Sequence, residues 1–382
     1  MIVVAEVVFW VSCAAAVFAY ASYSLSILLI ALFVRRPHRT GDILPSVTFL
    51  ITAYNEERNI GAKLEQTLAL NYPSDRLEII VASDGSTDRT DEIVRSFADR
   101  GVRLVRVEGR VGKTETQNRA VREARGEIIV FSDATTRYEP DAVRMLVRNY
   151  ADPGVGAVSG RYEYSNPTGA SIGVGSVVFW KYENLIKTLQ SRIGTITGCC
   201  GCIYSVRRDL YRPLPADIIS DLCEPLKVLE HGHRIVFEPQ AIAYEETTEE
   251  ANEEFSMRVR VAVRGMRGML FMRRLFNPFR YGFVAYQLWS HKVMRWLVPV
   301  FMVLAFVSNM ALLGRPLYNV TFALQLLLYG FAVLGLLLAP LNVRLLPFSL
   351  PLYLVTVNWA ALVAMGRVLR GYRAVTWETV RR

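Results

Sequence analysis

Residues 77–88 read LEIIVASDGSTD. Leu77 to Ser83 is a short apolar run with β-branched residues, closed by Gly, Ser and Asp, and so reads as a buried strand entering a turn. Two other stretches repeat the pattern: VTFLITAYNE at 47–56 and EIIVFSDATT at 127–136. Between them, Asn55 to Leu70, Asp88 to Ala98 and Lys113 to Ala124 carry helical spacing, and Arg103 to Val107 forms a short strand. Strands alternating with helices predict an α/β fold with a mostly parallel sheet, covered by helices on both faces. Ligands of such sheets sit at the carboxyl ends of the strands.

Each of those three strands ends in polar residues fit to hold a nucleotide: Ala53-Tyr54-Asn55-Glu56, Ser83-Asp84-Gly85-Ser86-Thr87-Asp88 and Ser132-Asp133-Ala134-Thr135-Thr136. A single Asp after a strand is commonly a helix cap, and Asp88 reads that way. Three such ends in one sheet point to a site.

The succession AYNEE, SDGSTD, GKTETQN and FSDATT resembles family 2 glycosyltransferases of the GT-A fold. The likeness continues through GAVSGRYEY, GCIYSVRRDLY and ISDLCEPLKVLEHGHRIVFEP, covering roughly residues 45 to 300. Within the family it looks most like the membrane-bound branch of cellulose, hyaluronan and poly-N-acetylglucosamine synthases. The resemblance implies a nucleotide-diphospho-sugar transferase-like domain that takes a nucleotide-sugar donor, with a UDP-sugar favoured. It puts Tyr54 and Glu56 against the base and ribose, Asp84 on the nucleoside and Lys113 near the base or a phosphate. Asp133 matches the first acid of the family's DxD motif, which helps hold Mg²⁺ or Mn²⁺ on the diphosphate. Asp221 matches the general base of an inverting transfer; its other reading is a cap for the helix that follows.

The chemistry agrees with those roles. A nucleoside diphosphate leaves with several negative charges, which a hard cation on oxygen ligands neutralises. An acceptor hydroxyl needs a carboxylate within hydrogen-bond reach to take its proton. There are two departures. The second acid of DxD is Thr135, a hydroxyl that can ligate through water or hold a phosphate. The QxxRW motif of the membrane synthases becomes Met257-Arg258-Val259-Arg260-Val261, keeping only Arg260, which weakens the case for processive polymer synthesis. Arg260, Arg264 and Arg267 share one helical face. Arg260 and Arg264 are candidates for the donor diphosphate, with lipid phosphates as the alternative.

The chain has 382 residues, 52% of them hydrophobic, with the excess gathered at the two ends. Residues 1–34 hold no Lys or Arg and one acid, Glu6, and are long enough for one membrane helix. They lack the basic start of a signal peptide. Arg35, Arg36 and Arg39 follow, which favours a cytoplasmic catalytic domain over 35–252. Residues 253–291 read as interfacial amphipathic helices, 292–370 as C-terminal membrane helices and 371–382 as a tail. Trp296–Leu313, Thr321–Pro340 and Leu345–Leu369 are the candidate spans. Three of them would put the tail outside, against the arginines it carries, and Pro347, Pro351 and Asn358 make the last segment interfacial or broken. The total is three or four spans in a multi-pass protein of the cell (inner) membrane.

Net charge is +9, and no nucleic-acid motif accompanies it, so membrane lipids are the partner expected for the basic surface. Cys199, Cys200 and Cys202 cluster without a nearby His or a CxxC pair, so packing thiols are the better reading than zinc. The function expected is sugar transfer to a glycan or lipid-linked acceptor. The alternatives are a catalytically inactive nucleotide-binding relative, supported by Thr135, and a transporter, disfavoured by the scarcity of charge in the apolar segments.

Overall fold

Strand β1 (Val47–Ala53) is buried along its whole length in the computed structural model, which describes residues 1–165, 171–246, 251–338 and 345–377. It pairs in parallel with β2 (Leu77–Ser83) on one side and β4 (Ile128–Asp133) on the other, and β3 (Val102–Arg106) extends the β2 edge. The register sets Ala53 beside Ser83 and Thr52 beside Asp133. The polar ends of β1, β2 and β4 therefore emerge together. The chain leaves β1 toward β2 and β3, then returns to place β4 on the opposite side of β1. That reversal opens the crevice where α/β sheets bind ligands.

Beyond β4 the sheet becomes mixed. It continues through β5 (Arg137–Tyr138), β6 (Val155–Ser165), β7 (Tyr204–Arg207) and β8 (Arg234–Glu246), giving the order β3-β2-β1-β4-β7-β6-β8-β5. β7 runs antiparallel to both β4 and β6. Apolar side chains on the two sheet faces build two cores, one around Phe49, Ile51 and Val130, the other around Leu50, Phe131 and Tyr204.

The first helices are shorter than their periodicity suggests. Helix α1 spans Ile2–Phe33, α2 is Ile60–Leu68 and α3 is Thr90–Arg95. Asn55 takes a left-handed φ of 52°, and its Oδ1 accepts from Thr87 N at 2.8 Å. The Glu56 amide donates to Thr90 Oγ1 and the Glu57 amide to Asp88 Oδ2. These bonds between loops compete with helix and delay α2 to residue 60. Asp88 also accepts from the Thr90 amide at 3.0 Å, which starts α3. Helix α4 (Lys113–Glu123) opens directly on the crevice, and α5 (Ala142–Val147) packs behind it against β8 and β6.

Helices α6 (Ser171–Ile193), α7 (Ser220–Glu230) and α8 (Ala251–Phe271) link the sheet to the apolar part of the chain. Among the described residues, three helices besides α1 are long and apolar enough to cross a membrane: α9 (Phe283–Met310), α10 (Pro316–Leu338) and α11 (Leu346–Leu369). Val3, Trp10, Val303, Leu327 and Leu337 face outward from them, as a lipid-facing surface requires. Helix α9 begins well before Trp296, because His291 and Arg295 are buried against Glu183 rather than exposed as a loop. Tyr23, Ile27 and Ala31 of α1 pack on Ile186 and Ile193 of α6. Helix α11 lies along the sheet domain, with Ala360 and Ala364 against Val259 and Val263 of α8.

Candidate active site

A cavity of about 480 Å³ opens at the carboxyl ends of β1 and β4 and runs to the apolar helices. Its sheet end is lined by Glu56, Lys113, Asp133 and Thr135, and its middle by Asp221, Arg260 and Arg264.

Asp133 closes β4 and is held by the Lys113 ammonium, which comes from the first residue of α4. Gly112 just before it has φ +89°, a conformation that leaves no room for a side chain, and a Cβ there would strike the Val375 carbonyl. Asp84 lies behind this wall. It is fully buried and accepts from the amides of Val111 (2.8 Å) and Gly112 (3.1 Å) and from Thr116 Oγ1 (2.9 Å). Its oxygens thus order the loop that presents Lys113, and it does not line the cavity. Tyr54 does not line the cavity; it lies under the Arg110 guanidinium, 4.0 Å from its ring, with Trp377 edge-on at 6.0 Å. The sequence reading passed over Trp377 as tail, yet it lines the cavity.

Thr135 donates to Glu245 Oε1 at 2.6 Å, and Tyr162 OH bonds the other oxygen. Glu245 comes from β8 and lines the same cavity. Its sequence signal was the acidic stretch that it opens, Glu245 to Glu254.

Asp221 sits in the first turn of α7, where Ser220 begins the helix, so it is not the cap. Its carboxylate borders Gly201, where a Cβ would approach Oδ2 to 2.8 Å. Burial raises its pKa; Lys113 opposes the rise and Asp133 adds to it. A raised carboxylate pKa in a cleft suits a proton acceptor. Asp133 and Asp221 therefore share one electrostatic compartment.

Helix α8 turns its arginines inward. Arg264 donates to Ile218 O (2.8 Å) and Thr114 Oγ1 (2.7 Å), and burial pushes its pKa down to about 10. Arg267 pairs with Asp217 at 2.7 Å. These two clamp the segment before α7, and Arg264 lines the cavity together with Arg260. At the far end stand Lys187, Glu183, Lys292 and Arg295, none of which the sequence reading singled out.

Among the described residues no three or more His, Cys, Asp or Glu side chains gather as a metal cage. Asp133, Thr135 and Glu245 nevertheless offer oxygen ligands on one wall. That set fits a cation held by one or two carboxylates and completed by substrate phosphates. The five cysteines are free thiols, with Cys200 and Cys202 sulfurs 3.4 Å apart.

Residues 48–214 match the model of glycosyl transferase family 2. That segment is similar to a glycosyl transferase family 2 domain. Asp221 and Glu245, which line the same cavity, lie outside that segment. The chain is 28% identical over 241 residues to poly-β-1,6-N-acetyl-D-glucosamine synthase of Staphylococcus aureus strain COL, covering 60% of this chain and 57% of that one. It is also 28% identical over 220 residues to an N-acetylglucosaminyltransferase of Rhizobium sp. strain N33, covering 53% and 48%. It thus spans little more than half the length of the curated relatives it matches. A mannosyltransferase from Pyrobaculum calidifontis, solved with GDP-mannose and Mn²⁺, superposes with a TM-score of 0.72 at 22% identity, covering 94% of this chain and 99% of that one. This similarity establishes the GT-A-like fold with its apolar helices.

Proposed function

We propose that this chain is a membrane-embedded inverting glycosyltransferase, moving a sugar from a nucleoside diphosphate to a hydroxyl of a glycan or lipid-linked acceptor. The observation that carries the reading is the placement of Asp133, with Lys113, and Asp221 on the walls of one cavity. Lys113 and Arg260 bind the diphosphate. A divalent cation, Mg²⁺ or Mn²⁺, held by Asp133 and the donor phosphates would neutralise charge on the leaving group. The acceptor oxygen bonds to the anomeric carbon, and the bond from that carbon to the diphosphate breaks with its electron pair leaving on the diphosphate. Asp221 takes the hydroxyl proton. One carboxylate base and no covalent intermediate give inversion. The relatives' names favour a UDP-N-acetylhexosamine as donor.

Asp221→Asn should abolish transfer, by 10³-fold or more on the order of magnitude expected for losing a general base, while binding of UDP or GDP with Mn²⁺ persists. Retained turnover would remove Asp221 from this role.

The same reading places the catalytic domain in the cytoplasm with three crossings, by α1, α9 and α10, and α11 at the interface. Its support is that the tail after α11 packs on the catalytic domain: Arg110 donates to the Trp377 carbonyl and Val375 abuts Gly112. A single cysteine placed at Thr376 should react with an impermeant maleimide only from the side that labels Arg89→Cys. Labelling from opposite sides would require a fourth crossing.

A further inference from the structure

The inner end of the cavity carries charge that the transfer chemistry above does not use. Lys187 of α6 is 6% exposed and lines the cavity. Among the described residues it has no carboxylate within ion-pair distance; its nearest recorded neighbours are the rings of Trp180 (5.5 Å) and Phe237 (6.0 Å). Lys292 of α9 also lines the cavity and, among the described residues, likewise forms no ion pair. Arg295, one turn further along α9, gives one nitrogen to Glu183, while among the described residues its buried Nε and other terminal nitrogen have no hydrogen-bond partner. Glu183 is already shared with His291. Among the described residues these three cations share one ion-paired carboxylate, Glu183, with the Asp221 carboxylate acting on Lys187 and Lys292 from further along the cavity.

Buried charge without a counter-ion is costly, most of all beside a membrane. With three cations against Glu183 and the more distant Asp221, the compartment keeps a net positive charge. The anion that would balance it is not the donor diphosphate, which Lys113 and Asp133 receive at the sheet end. The loop from Gly198 to Gly201 separates the two: a Cβ at Gly201 would meet Asp221, and one at Gly198 would stand 3.9 Å from Lys292 Nζ. Moving from Asp133 past Asp221, a ligand reaches the cations next. The remaining wall there is apolar or aromatic and comes from the same helices: Tyr20, Phe179, Val357 and Ala361.

The geometry points to an acceptor that is an anionic amphiphile: a lipid-borne phosphate held by Lys187, Lys292 and Arg295, bearing a sugar whose hydroxyl is presented to Asp221. This rests on the transfer reading and narrows its acceptor to a phosphate-linked glycolipid rather than a neutral glycan.

The test uses the full chain in phosphatidylcholine nanodiscs, with farnesyl phosphate as probe and intrinsic tryptophan fluorescence as readout. Farnesyl phosphate should bind at least tenfold more tightly than farnesol, and inorganic phosphate should not displace it at equal concentration. The Lys187→Gln/Lys292→Gln pair should lose that preference tenfold or more, and Lys187→Arg/Lys292→Arg should keep it. Equal binding of farnesol, or an unchanged affinity in the Gln pair, overturns the proposal. So does full displacement by phosphatidylglycerol in the disc, which would make this a bulk headgroup site, or by inorganic phosphate, which would make it a free-anion site. UDP and GDP binding with Mn²⁺ is measured on every variant. If the nucleotides bind and the farnesyl phosphate preference is absent, only the acceptor proposal fails; if no nucleotide binds to the unmodified chain, the transfer reading itself fails.

Discussion

Thr135 Oγ1 donates to Glu245 Oε1 at 2.6 Å, joining the end of β4 to β8 across 110 positions of sequence. The hydroxyl stands where the related motif has an acid, and the structure brings a carboxylate to that hydroxyl from another strand. Glu245→Gln should therefore lower kcat by roughly 10–100-fold and raise the Mn²⁺ concentration needed for half-maximal rate, as loss of a ligand or its partner does. Adding Thr135→Asp to that variant should recover part of the metal affinity. An activity-versus-Mn²⁺ titration that is the same in all three proteins would leave Glu245 a purely structural residue.

In the proposed mechanism Asp221 takes the proton only when ionised, so the rate should fall as pH drops through its pKa. Burial has already raised that pKa, and the Lys113 charge holds the rise in check. Replacing Lys113 with Gln removes a cation and should move the acid limb of kcat, measured at saturating donor, to higher pH. An acid limb that stays in place or moves down would mean that another group controls it.

Glu224, one turn beyond Asp221 on α7, is fully buried and, among the described residues, forms no ion pair. Burial raises its pKa well above the usual range, with Arg212 only partly opposing. The folded state thus holds a proton that the unfolded chain releases above about pH 4.3. Stability contributed by that proton is present below the unfolded pKa and is lost as pH rises toward the folded pKa. Glu224→Gln keeps the neutral shape and removes the dependence. Its thermal midpoint should match the unmodified protein near pH 4 and exceed it by several degrees at pH 8, on the order of 1–2 kcal/mol. A constant difference across that range would count against a protonated Glu224.

The strands and their polar ends were legible because apolar runs fix a buried parallel sheet, and the sheet then forces Tyr54, Asp84 and Asp133 to adjacent ends. What the sequence hid was which ends face the ligand. Asp84 looks like Asp133 in the chain, yet it serves the backbone of Val111 and Gly112. No local pattern distinguishes the two, because the loop that claims Asp84 lies 27 positions away. The inner cations were hidden for a similar reason. Lys292 and Arg295 read as a polar flank of a membrane helix until Glu183, 112 positions before Arg295, folds against them. The arginines of α8 showed their common face but not its direction, which Asp217 and the Ile218 carbonyl decide.

Helix α1 continues for 32 residues, from Ile2 to Phe33, with a π-helical turn at Phe18–Ser22. At 1.5 Å per residue that is about 48 Å, well beyond the roughly 30 Å of a bilayer's oily layer. The surplus turns, fastened to α6 through Tyr23, Ile27 and Ala31, act as a rigid post. In the proposed topology the post would set the height of the catalytic pocket above the lipids, so its length would govern how far an acceptor must rise out of the bilayer before transfer.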